Sequence, residues 1–324
     1  MDQRRIRPRR IAVFGASGHL GGPLARHVRT VAPDVKLRLL SSAAPKIARL
    51  RADFPGAEVM EANYFDAASM VDALADVDGV FLVTPNFLDE ERAMPIFVEA
   101  ARGAGVSHIV RLLGDAPGMT LDGLPPAIRN FDPPGPASQH LLAHGILKRS
   151  GLPVTFINCA SFLMDNLLGI GAEALRSRQT LTVPVDRVNS FIDPRDVGET
   201  AACLLLSDDP DHIGRIYDLD NGQDLMRFSQ LAELIGDVFG MPIAYEGSSE
   251  YFLREHGDRY RKFMNDERAP EYMLAVWEFE REVEPLWRIS DVVEKIIGRK
   301  PKTWREWLIE HRDALLAQPH PGVT

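Results

Sequence analysis

The stretch from Ile11 to Val31 constrains the fold of this chain more than any other feature of its sequence. Residues 11–14 are apolar and predict a buried strand, which leads directly into a turn with the spacing Gly-x-x-Gly-x-x-Gly. After the turn, apolar residues recur at helical spacing through Val31. A strand, a glycine loop and a helix in this order are typical of a dinucleotide-binding site, and an unliganded tight turn in an α/β sheet is the alternative.

The residues of this glycine loop have separate predicted roles. Gly15 lets the chain turn sharply off the strand, Gly18 removes a side chain where pyrophosphate would approach the backbone, and Gly21 lets the helix pack close to the sheet. The helix N-terminus adds unpaired N–H groups and the positive end of its dipole, and for His19 a role in starting the helix is the alternative to a phosphate contact. The loop residues predicted to contact a cofactor are Gly15, Ser17, Gly18, His19, Leu20 and Gly21.

Composition narrows the class of protein. The 324 residues, of which 45% are hydrophobic and 26% charged, are typical of a globular protein with a sizeable core. A formal net charge of −9 disfavours a general binder of nucleic acids or anionic membranes, so the arginine-rich residues 1–9 are interpreted as a flexible basic arm. Two cysteines without a disulfide or zinc pattern, and the lack of a long apolar run, predict a cytoplasmic protein.

Short apolar runs alternate with helical segments along the first half of the chain. Further strands are predicted at residues 35–40, 57–60, 79–83 and 107–113. This alternation predicts right-handed βαβ crossovers and therefore an α/β fold of the Rossmann type, with a doubly wound parallel sheet. We expect a dinucleotide-binding domain over residues 10–158 and a smaller, mostly helical substrate-binding portion over residues 159–324, of which residues 191–219 return to the sheet.

The carboxyl ends of the predicted strands carry further candidate cofactor contacts, because ligands of parallel sheets bind there. These residues are Ser41, Ser42, Asn63, Thr84, Pro85 and Leu113. NAD preference usually shows as an acidic residue after the second strand, but here Ser41 and Ser42 occupy that place and Lys46 follows on the next helix. Hydroxyls and a cation suit a 2′-phosphate, so the sequence predicts NADP(H) rather than NAD(H). The alternative is that Lys46 and Arg49 are only the solvated face of that helix.

Several segments resemble one known family, the NmrA-like branch of the atypical short-chain dehydrogenase/reductases. They are Gly15-Ala-Ser-Gly18-His-Leu-Gly21, Gln139-His140-x-x-x-His144 with Ser150-Gly151-Leu152-Pro153-Val154-Thr155, Phe162-Leu-Met-Asp-Asn166, Phe191-Ile-Asp-Pro-Arg-Asp196-Val197 and Gly298-Arg-Lys-Pro301-Lys-Thr-Trp304. Members of the family include quinone reductases, triarylmethane-dye reductases, relatives of isoflavone reductase and non-catalytic NADP(H)-sensing regulators. The resemblance covers the chain after residue 9 and implies that Asn63 lies where adenine would be contacted.

The resemblance also bears on the proton donor. Standard short-chain dehydrogenases use a Tyr-x-x-x-Lys pair, but matching the turn at residues 150–152 places His140 at the lysine position and Pro136 at the tyrosine position. His140 is therefore the candidate catalytic residue, because the unperturbed pKa of histidine is about 6.5. A hydrogen bond from His140 to the substrate or to the nicotinamide ribose, without proton transfer, is the alternative. His144 is interpreted as structural.

An apolar substrate pocket is predicted from side chains after residue 130. Its candidate lining residues are Phe131, Phe162, Met164, Asn166 and Phe191. Together with the glycine loop, this pocket favours an NADPH-dependent reductase that transfers hydride to a hydrophobic, aromatic or conjugated small molecule, such as a quinone, enone, imine or dye. The chain lacks the tyrosine and lysine of that pair, and it also lacks the serine that standard short-chain dehydrogenases carry at the end of the fifth strand. These differences favour the alternative of a non-catalytic NADP(H)-binding redox sensor. An epimerase or lyase that uses the cofactor transiently is a weaker alternative.

The expected partner is thus a hydrophobic small molecule, and neither nucleic acid nor a membrane is predicted to bind. A second copy of the chain and a regulatory protein stay open as protein partners. The remaining histidines show no ligand spacing, so no metal is predicted.

Overall fold

The computed structural model of the protein describes residues 4–264, 266–283 and 287–317. Residues 1–3 of the predicted basic arm and residues 318–324 of the predicted substrate-binding portion lie outside the described residues. The described strands are β1 (Arg10–Val13), β2 (Lys36–Ser41), β3 (Glu58–Glu61), β4 (Gly79–Leu82), β5 (His108–Leu113), β6 (Val154–Asn158), β7 (Phe162–Leu163), β8 (Thr180–Leu181), β9 (Val188–Ile192), β10 (Ile216–Asp218), β11 (Leu225–Arg227) and β12 (Ala244–Tyr245).

Helices follow most of these strands. The described α-helices are α1 (Gly21–Val31), α2 (Ala44–Asp53), α3 (Ala67–Leu74), α4 (Glu90–Ala104), α5 (Pro126–Arg129), α6 (Pro136–Arg149), α7 (Ala172–Arg178), α8 (Pro194–Leu206), α9 (Phe228–Phe239), α10 (Ser249–Met264), α11 (Ala269–Glu282), α12 (Val292–Ile297) and α13 (Trp304–Leu316).

Seven of the described strands form one parallel sheet in the order β3-β2-β1-β4-β5-β6-β10. Val13 of β1 lies opposite Leu39 of β2 on one side and Phe81 of β4 on the other. The direction of winding reverses between β1 and β4, and the glycine loop leaves β1 at this point. Ligands bind at such a reversal because the loops on either side diverge and leave a crevice. The predicted α/β fold with a doubly wound sheet is confirmed.

Both faces of the sheet are covered by helices, which explains why the central strands β1 and β4 are almost entirely apolar. Ile11 and Val13 point into a core shared with α1 and α8, whereas Ala12 and Phe14 point into a second core shared with α3, α4 and α6. Helices α1 and α8 approach very closely, since a Cβ at Gly198 would lie 2.8 Å from Leu20 O. The start of α1 therefore packs tightly between the sheet and α8.

The later part of the chain contributes to two places. Strand β10 forms the edge of the main sheet beside β6, while β9 pairs with β7 and β11 in a separate three-stranded sheet of the described residues. Side chains from β9, α7, α9 and α13 build a third core around Trp304, which is fully buried. The predicted domain boundaries stay a prediction.

Candidate functional site

The glycine loop between β1 and α1 is tightly folded. Gly15 has a φ of +64°, and a Cβ there would lie 2.8 Å from Val83 Cγ1, so the turn requires glycine. The Gly18 N–H donates to Gly15 O at 2.9 Å. A Cβ at Gly21 would lie 2.6 Å from the same oxygen, so Gly21 lets α1 pack on the turn itself. No side chain of the described residues caps α1, but the Gly22 N–H donates to Gly18 O at 3.1 Å, so the N–H groups of Leu20 and Gly21 are those at the helix start that would meet a phosphate oxygen.

A cavity of about 410 Å³, here called the first cavity, lies over this loop. The predicted cofactor contacts that line it are Gly15, Ser17, Gly18, His19, Leu20, Gly21, Ser41, Ser42, Lys46, Asn63, Thr84 and Pro85. Two predicted contacts lie elsewhere: Leu113 is buried at the end of β5, and His140 lies against Gly114. The structure thus brings together the loop residues and the residues that follow β2, β3 and β4.

The residues after β2 give the first cavity hydroxyl groups and a cation. Ser41 and Ser42 line it together with Lys46 of α2, and its described lining contains no carboxylate. Arg49 differs from Lys46, because Arg49 is absent from the described lining of the cavity and pairs with Asp53 at 3.4 Å. The solvated-face alternative therefore applies to Arg49, whereas Lys46 faces the cavity.

The residues after β3 present an amide to the same cavity. Asn63 Oδ1 accepts a hydrogen bond from the Phe65 N–H at 3.0 Å, so the NH₂ group is the part of this side chain left for a ligand. The neighbouring Tyr64 donates its hydroxyl to Val83 O at 2.7 Å and stacks on Phe14. These contacts make the floor of the first cavity rigid.

A buried polar network holds the wall of the first cavity at Thr84 and Pro85. Arg111 of β5 and Glu90 of α4 are fully buried, and Arg111 Nη2 lies 2.9 Å from both Glu90 Oε1 and Thr84 Oγ1. Gln139 of α6 donates to Pro85 O at 2.7 Å. Sequence reasoning missed this network, although a charged residue inside the apolar run of β5 was a signal for it.

A second cavity of about 310 Å³ lies between α11 and the segments that follow β5 and β6. Phe162 and Asn166, two of the predicted substrate contacts, line it. The rest of its apolar wall includes Met273, Val276 and Trp277 of α11. These side chains create an aromatic and aliphatic surface suited to a flat, hydrophobic molecule.

The other predicted substrate contacts do not lie in the described wall of the second cavity. Met164 and Phe191 are fully buried in the third core, where the ring centroids of Phe191 and Trp304 are 5.5 Å apart. Phe131 packs against Tyr272 with a centroid distance of 4.4 Å. Sequence spacing does not distinguish an apolar side chain that faces a core from one that faces a cavity, and these residues face cores.

His140, the predicted proton donor, is enclosed. Its ring lies next to Gly114, where a Cβ would come within 3.2 Å of His140 Cδ2, and its Nδ1 has no partner among the described residues. Burial lowers the pKa of His140 to about 3, and the nearby charge of Arg111 adds to this effect. The imidazole is therefore neutral at physiological pH, which counts against a role as an imidazolium acid.

Two acidic residues line the second cavity. Asp115 is 7% exposed, and burial raises the pKa of its carboxyl group well above the ordinary value. Glu280 of α11 is paired with Arg187. Sequence reasoning missed both residues, although Asp115 comes directly after the end of β5 and Gly114, where the strand-end rule applies.

Arg187 is the cation of this cavity among the described residues, and its charge is already compensated. Its guanidinium pairs with Glu280, hydrogen-bonds to Asn189 and lies over the rings of Trp277 and Trp287, at 5.7 and 5.4 Å from their centroids. An anionic substrate would therefore find no uncommitted positive charge in the described wall.

A hydrogen bond connects the glycine loop, which lines the first cavity, to the residue beside Asn166, which lines the second cavity. His19 of the glycine loop lies with its Nδ1 2.8 Å from Oδ2 of Asp165, the residue before Asn166. This hydrogen bond raises the pKa of His19 above its ordinary value and outweighs the opposite effect of burial. The glycine loop and the wall of the second cavity are therefore connected directly.

The described ranges also bear on metal sites, membrane-spanning helices and a reactive thiol. Within them, no cluster of His, Cys, Asp or Glu could hold a metal ion, and no helix is both long and apolar enough to cross a membrane. Cys159 lines the second cavity, but burial raises its pKa to about 12, so it is a thiol rather than a nucleophilic thiolate. The cytoplasmic location stays a prediction.

Comparison with known proteins identifies reductases with similar sequences. The chain is 28% identical over 310 residues to the (4-alkanoyl-5-oxo-2,5-dihydrofuran-3-yl)methyl phosphate reductase of Streptomyces griseus, over 94% of this chain and 98% of that protein. It is 26% identical over 309 residues to an NAD(P)H azoreductase of Xenophilus azovorans, over 94% of this chain and 98% of that protein.

Solved structures show the same fold. The triphenylmethane reductase of a Citrobacter species, determined with NADP(H), matches with a TM-score of 0.73 at 22% identity, over 93% of this chain and 99% of that chain. The model of the NmrA-like family matches residues 7–308, which is nearly the whole chain. The resemblance inferred from the motifs is therefore confirmed, and the protein belongs to the NmrA-like family.

Proposed function

We propose that the protein is an NADPH-dependent reductase that transfers a hydride to a hydrophobic, aromatic or conjugated small molecule, such as a quinone, enone, imine or dye. One observation carries this proposal: the structure has a cavity suited to phosphates and a cavity with an aromatic wall, and the His19–Asp165 hydrogen bond ties the glycine loop of the first to the residue beside Asn166 of the second. A protein that only senses NADP(H) needs the first cavity but not the second. The second cavity therefore favours a reductase over a sensor.

The residues of the first cavity fit NADPH. The backbone at Gly18 and the N-terminus of α1 would hold the pyrophosphate, and Ser41, Ser42 and Lys46 would hold the 2′-phosphate. The Asn63 NH₂ group would face the adenine. When bound, NADPH supplies the hydride.

The remaining residues position the reactants. Thr84 and Pro85, held by the Arg111–Glu90 pair, form a rigid wall beside the glycine loop. Phe162 of the second cavity would stack against a flat acceptor and exclude water. Such positioning raises the rate without a covalent intermediate, in agreement with the un-ionised thiol of Cys159.

The named relatives support the same class of reaction. One is named as a reductase of an oxo-dihydrofuran phosphate and the other as an NAD(P)H azoreductase. The uncommitted positive charge that a phosphate substrate would need is absent from the described wall of the second cavity, so we expect a neutral or cationic acceptor here.

A panel of acceptors tests this proposal. Purified protein is mixed with NADPH and, in turn, a quinone, an enone, an azo dye and a cationic triarylmethane dye, while NADPH oxidation is followed by absorbance. We expect turnover with at least one acceptor, and we expect Trp277→Ala to raise the KM for that acceptor while leaving NADPH affinity unchanged. Tight NADPH binding without turnover of any acceptor would contradict the proposal and favour an NADP(H) sensor.

A further inference from the structure

Asp115 is held rigidly at the carboxyl edge of the main sheet. Its N–H donates to Asn158 Oδ1 at 3.0 Å, and its carbonyl oxygen accepts from Asn158 Nδ2 at 2.8 Å. The same Asn158 amide donates to Asp218 Oδ1 of β10 at 2.7 Å. The main chain of Asp115 is thereby tied to β6 and β10, and the residue is part of the lining of the second cavity.

The carboxyl group of Asp115 lacks a partner in the described structure. Neither Oδ1 nor Oδ2 makes a hydrogen bond to the described residues, although the residue is more than nine-tenths buried. A buried carboxylate without partners is costly, so burial raises the pKa of Asp115 and favours the neutral acid. A neutral acid has an O–H to donate. Both carboxyl oxygens are covered in the structure, so a rotation of the side chain would have to bring them to the surface of the cavity that Asp115 lines.

The charged and titratable groups around Asp115 do not reverse this balance. The charge of Arg111 acts to lower the pKa of Asp115, but Arg111 is already paired with Glu90. Tyr272, whose pKa is raised to about 12, and the buried His140 are both neutral at physiological pH. Glu280, which also lines the cavity, pairs with Arg187, but burial outweighs that charge and raises the pKa of Glu280 above its ordinary value.

We propose that Asp115 is the acid of the reaction and protonates the substrate in the second cavity. This inference rests on the proposed reductase function and assigns its proton donor. As the new C–H bond forms at the acceptor carbon, the π electrons of the C=O, C=C–C=O or C=N group move onto its oxygen or nitrogen. That atom takes the proton from Asp115, and the carboxylate left behind is reprotonated from water before the next turnover.

Whether the reaction needs a proton depends on the class of acceptor. An acceptor with an electronegative atom in conjugation with the reduced carbon needs this proton, whereas a triarylmethane cation becomes neutral on hydride addition and needs none. The protein should therefore depend on Asp115 for the first type of acceptor only. This difference separates an acid from a residue that merely shapes the cavity.

The first test measures the protonation state and does not depend on turnover. The infrared spectrum of the protein without substrate is compared for the wild type, Asp115→Asn and Asp122→Asn, the last being an exposed aspartate used as the matched control. Burial also raises the pKa of Glu280, so difference spectra are needed to isolate Asp115. At neutral pH we expect the wild-type-minus-Asp115→Asn difference to contain the carbonyl stretch of a protonated carboxylic acid and the wild-type-minus-Asp122→Asn difference to lack it. Absence of that band from the Asp115→Asn difference, or an equal band in the Asp122→Asn difference, would overturn the proposal.

The second test compares two acceptors. For a quinone or enone we expect Asp115→Asn to lower kcat roughly 100- to 10,000-fold with little change in KM, because asparagine can donate a hydrogen bond but not the proton. For a cationic triarylmethane dye we expect little change. Equal losses with both acceptors, no loss with the quinone, or reduction of the dye alone by the wild type would overturn the role of Asp115.

A separate measurement keeps this failure distinct from failure of the reductase proposal. NADPH titration of Asp115→Asn should give the wild-type affinity, because Asp115 does not belong to the described lining of the first cavity. A wild type that binds NADPH and reduces none of the acceptors contradicts the reductase function itself, and the role of Asp115 falls with it. A variant that no longer binds NADPH would show that Asp115 supports the fold rather than the chemistry, which also overturns the proposal.

Discussion

His19 Nδ1 and Asp165 Oδ2 lie 2.8 Å apart, and this contact joins the glycine loop to the residue before Asn166, which lines the second cavity. The two residues are far apart in the sequence, so the contact is a product of the tertiary fold. It makes the charge of His19 depend on a residue of the substrate side. We therefore expect a change at Asp165 to alter the affinity of the glycine loop for NADPH.

The first prediction concerns pH. The hydrogen bond that His19 donates to Asp165 raises the pKa of His19, so the imidazolium at the glycine loop persists to higher pH than an isolated histidine would. NADPH affinity should be highest below this raised pKa and should fall as the pH rises through it. In Asp165→Asn the fall should move to lower pH, towards the ordinary value of about 6.5.

Titration calorimetry with NADPH across neutral pH measures this shift, with His19→Asn as the control that should remove the pH dependence. Because His19 is half exposed, the change in affinity should be at most about fivefold. The same pH midpoint in Asp165→Asn and the wild type would refute the link between the two residues.

The second prediction concerns cofactor choice. Lys46→Glu places a carboxylate where a 2′-phosphate would lie, so NADPH should bind at least about tenfold more weakly while NADH binding changes little. Arg49→Glu is the matched control, because Arg49 lies on the same helix but does not belong to the described lining of the first cavity. Fluorescence titration with both nucleotides measures the effect, and equal losses for NADPH and NADH would show that Lys46 does not read the 2′-phosphate.

The third prediction concerns the glycine loop. In Gly21→Ala the new Cβ would lie 2.6 Å from Gly15 O, so the loop must shift, and we expect a loss of roughly 1–3 kcal/mol in the free energy of unfolding together with weaker NADPH binding. Gly103→Ala in α4 meets no atom within 4 Å and should instead stabilise the protein by about 0.5–1 kcal/mol. Denaturant unfolding gives both values. Wild-type stability in Gly21→Ala would mean that the loop is looser than described.

The fourth prediction concerns the buried ion pair. Glu90→Ala leaves the fully buried Arg111 without its carboxylate, so the free energy of unfolding should fall by about 3–5 kcal/mol. Glu91→Ala, on the exposed face of the same helix, should change it by less than about 0.5 kcal/mol. Urea unfolding of the two variants is the measurement. Similar stabilities for both variants would indicate that water or another hydrogen-bond acceptor compensates the charge of Arg111 when Glu90 is replaced.

Much of the first cavity could be predicted from the sequence because its residues are tied to strand ends. Ser41, Asn63 and Thr84 follow successive strands of one parallel sheet, so the topology alone brings them to one edge. The role of Gly15 in the turn is indicated by the strand before it and the helix after it. For such residues, local pattern and fold rule agree.

The second cavity could not be predicted to the same depth. It forms where the segment after β5 meets α11, which lies far along the chain, and no local pattern encodes that meeting. Phe191 and Phe162 look alike as sequence, yet only Phe162 lines the cavity, while Phe191 packs against Trp304. The raised pKa of Asp115 likewise depends on burial that only tertiary packing provides.

The measurement that tests the central claim most directly is calorimetric titration of the wild-type protein with NADPH and with NADH. The account predicts one tight NADPH site per chain and NADH binding at least about tenfold weaker, because Ser41, Ser42 and Lys46 provide for the 2′-phosphate. Absence of binding by either nucleotide would contradict the account, since the loop from Gly15 to Gly21 would then be only a turn.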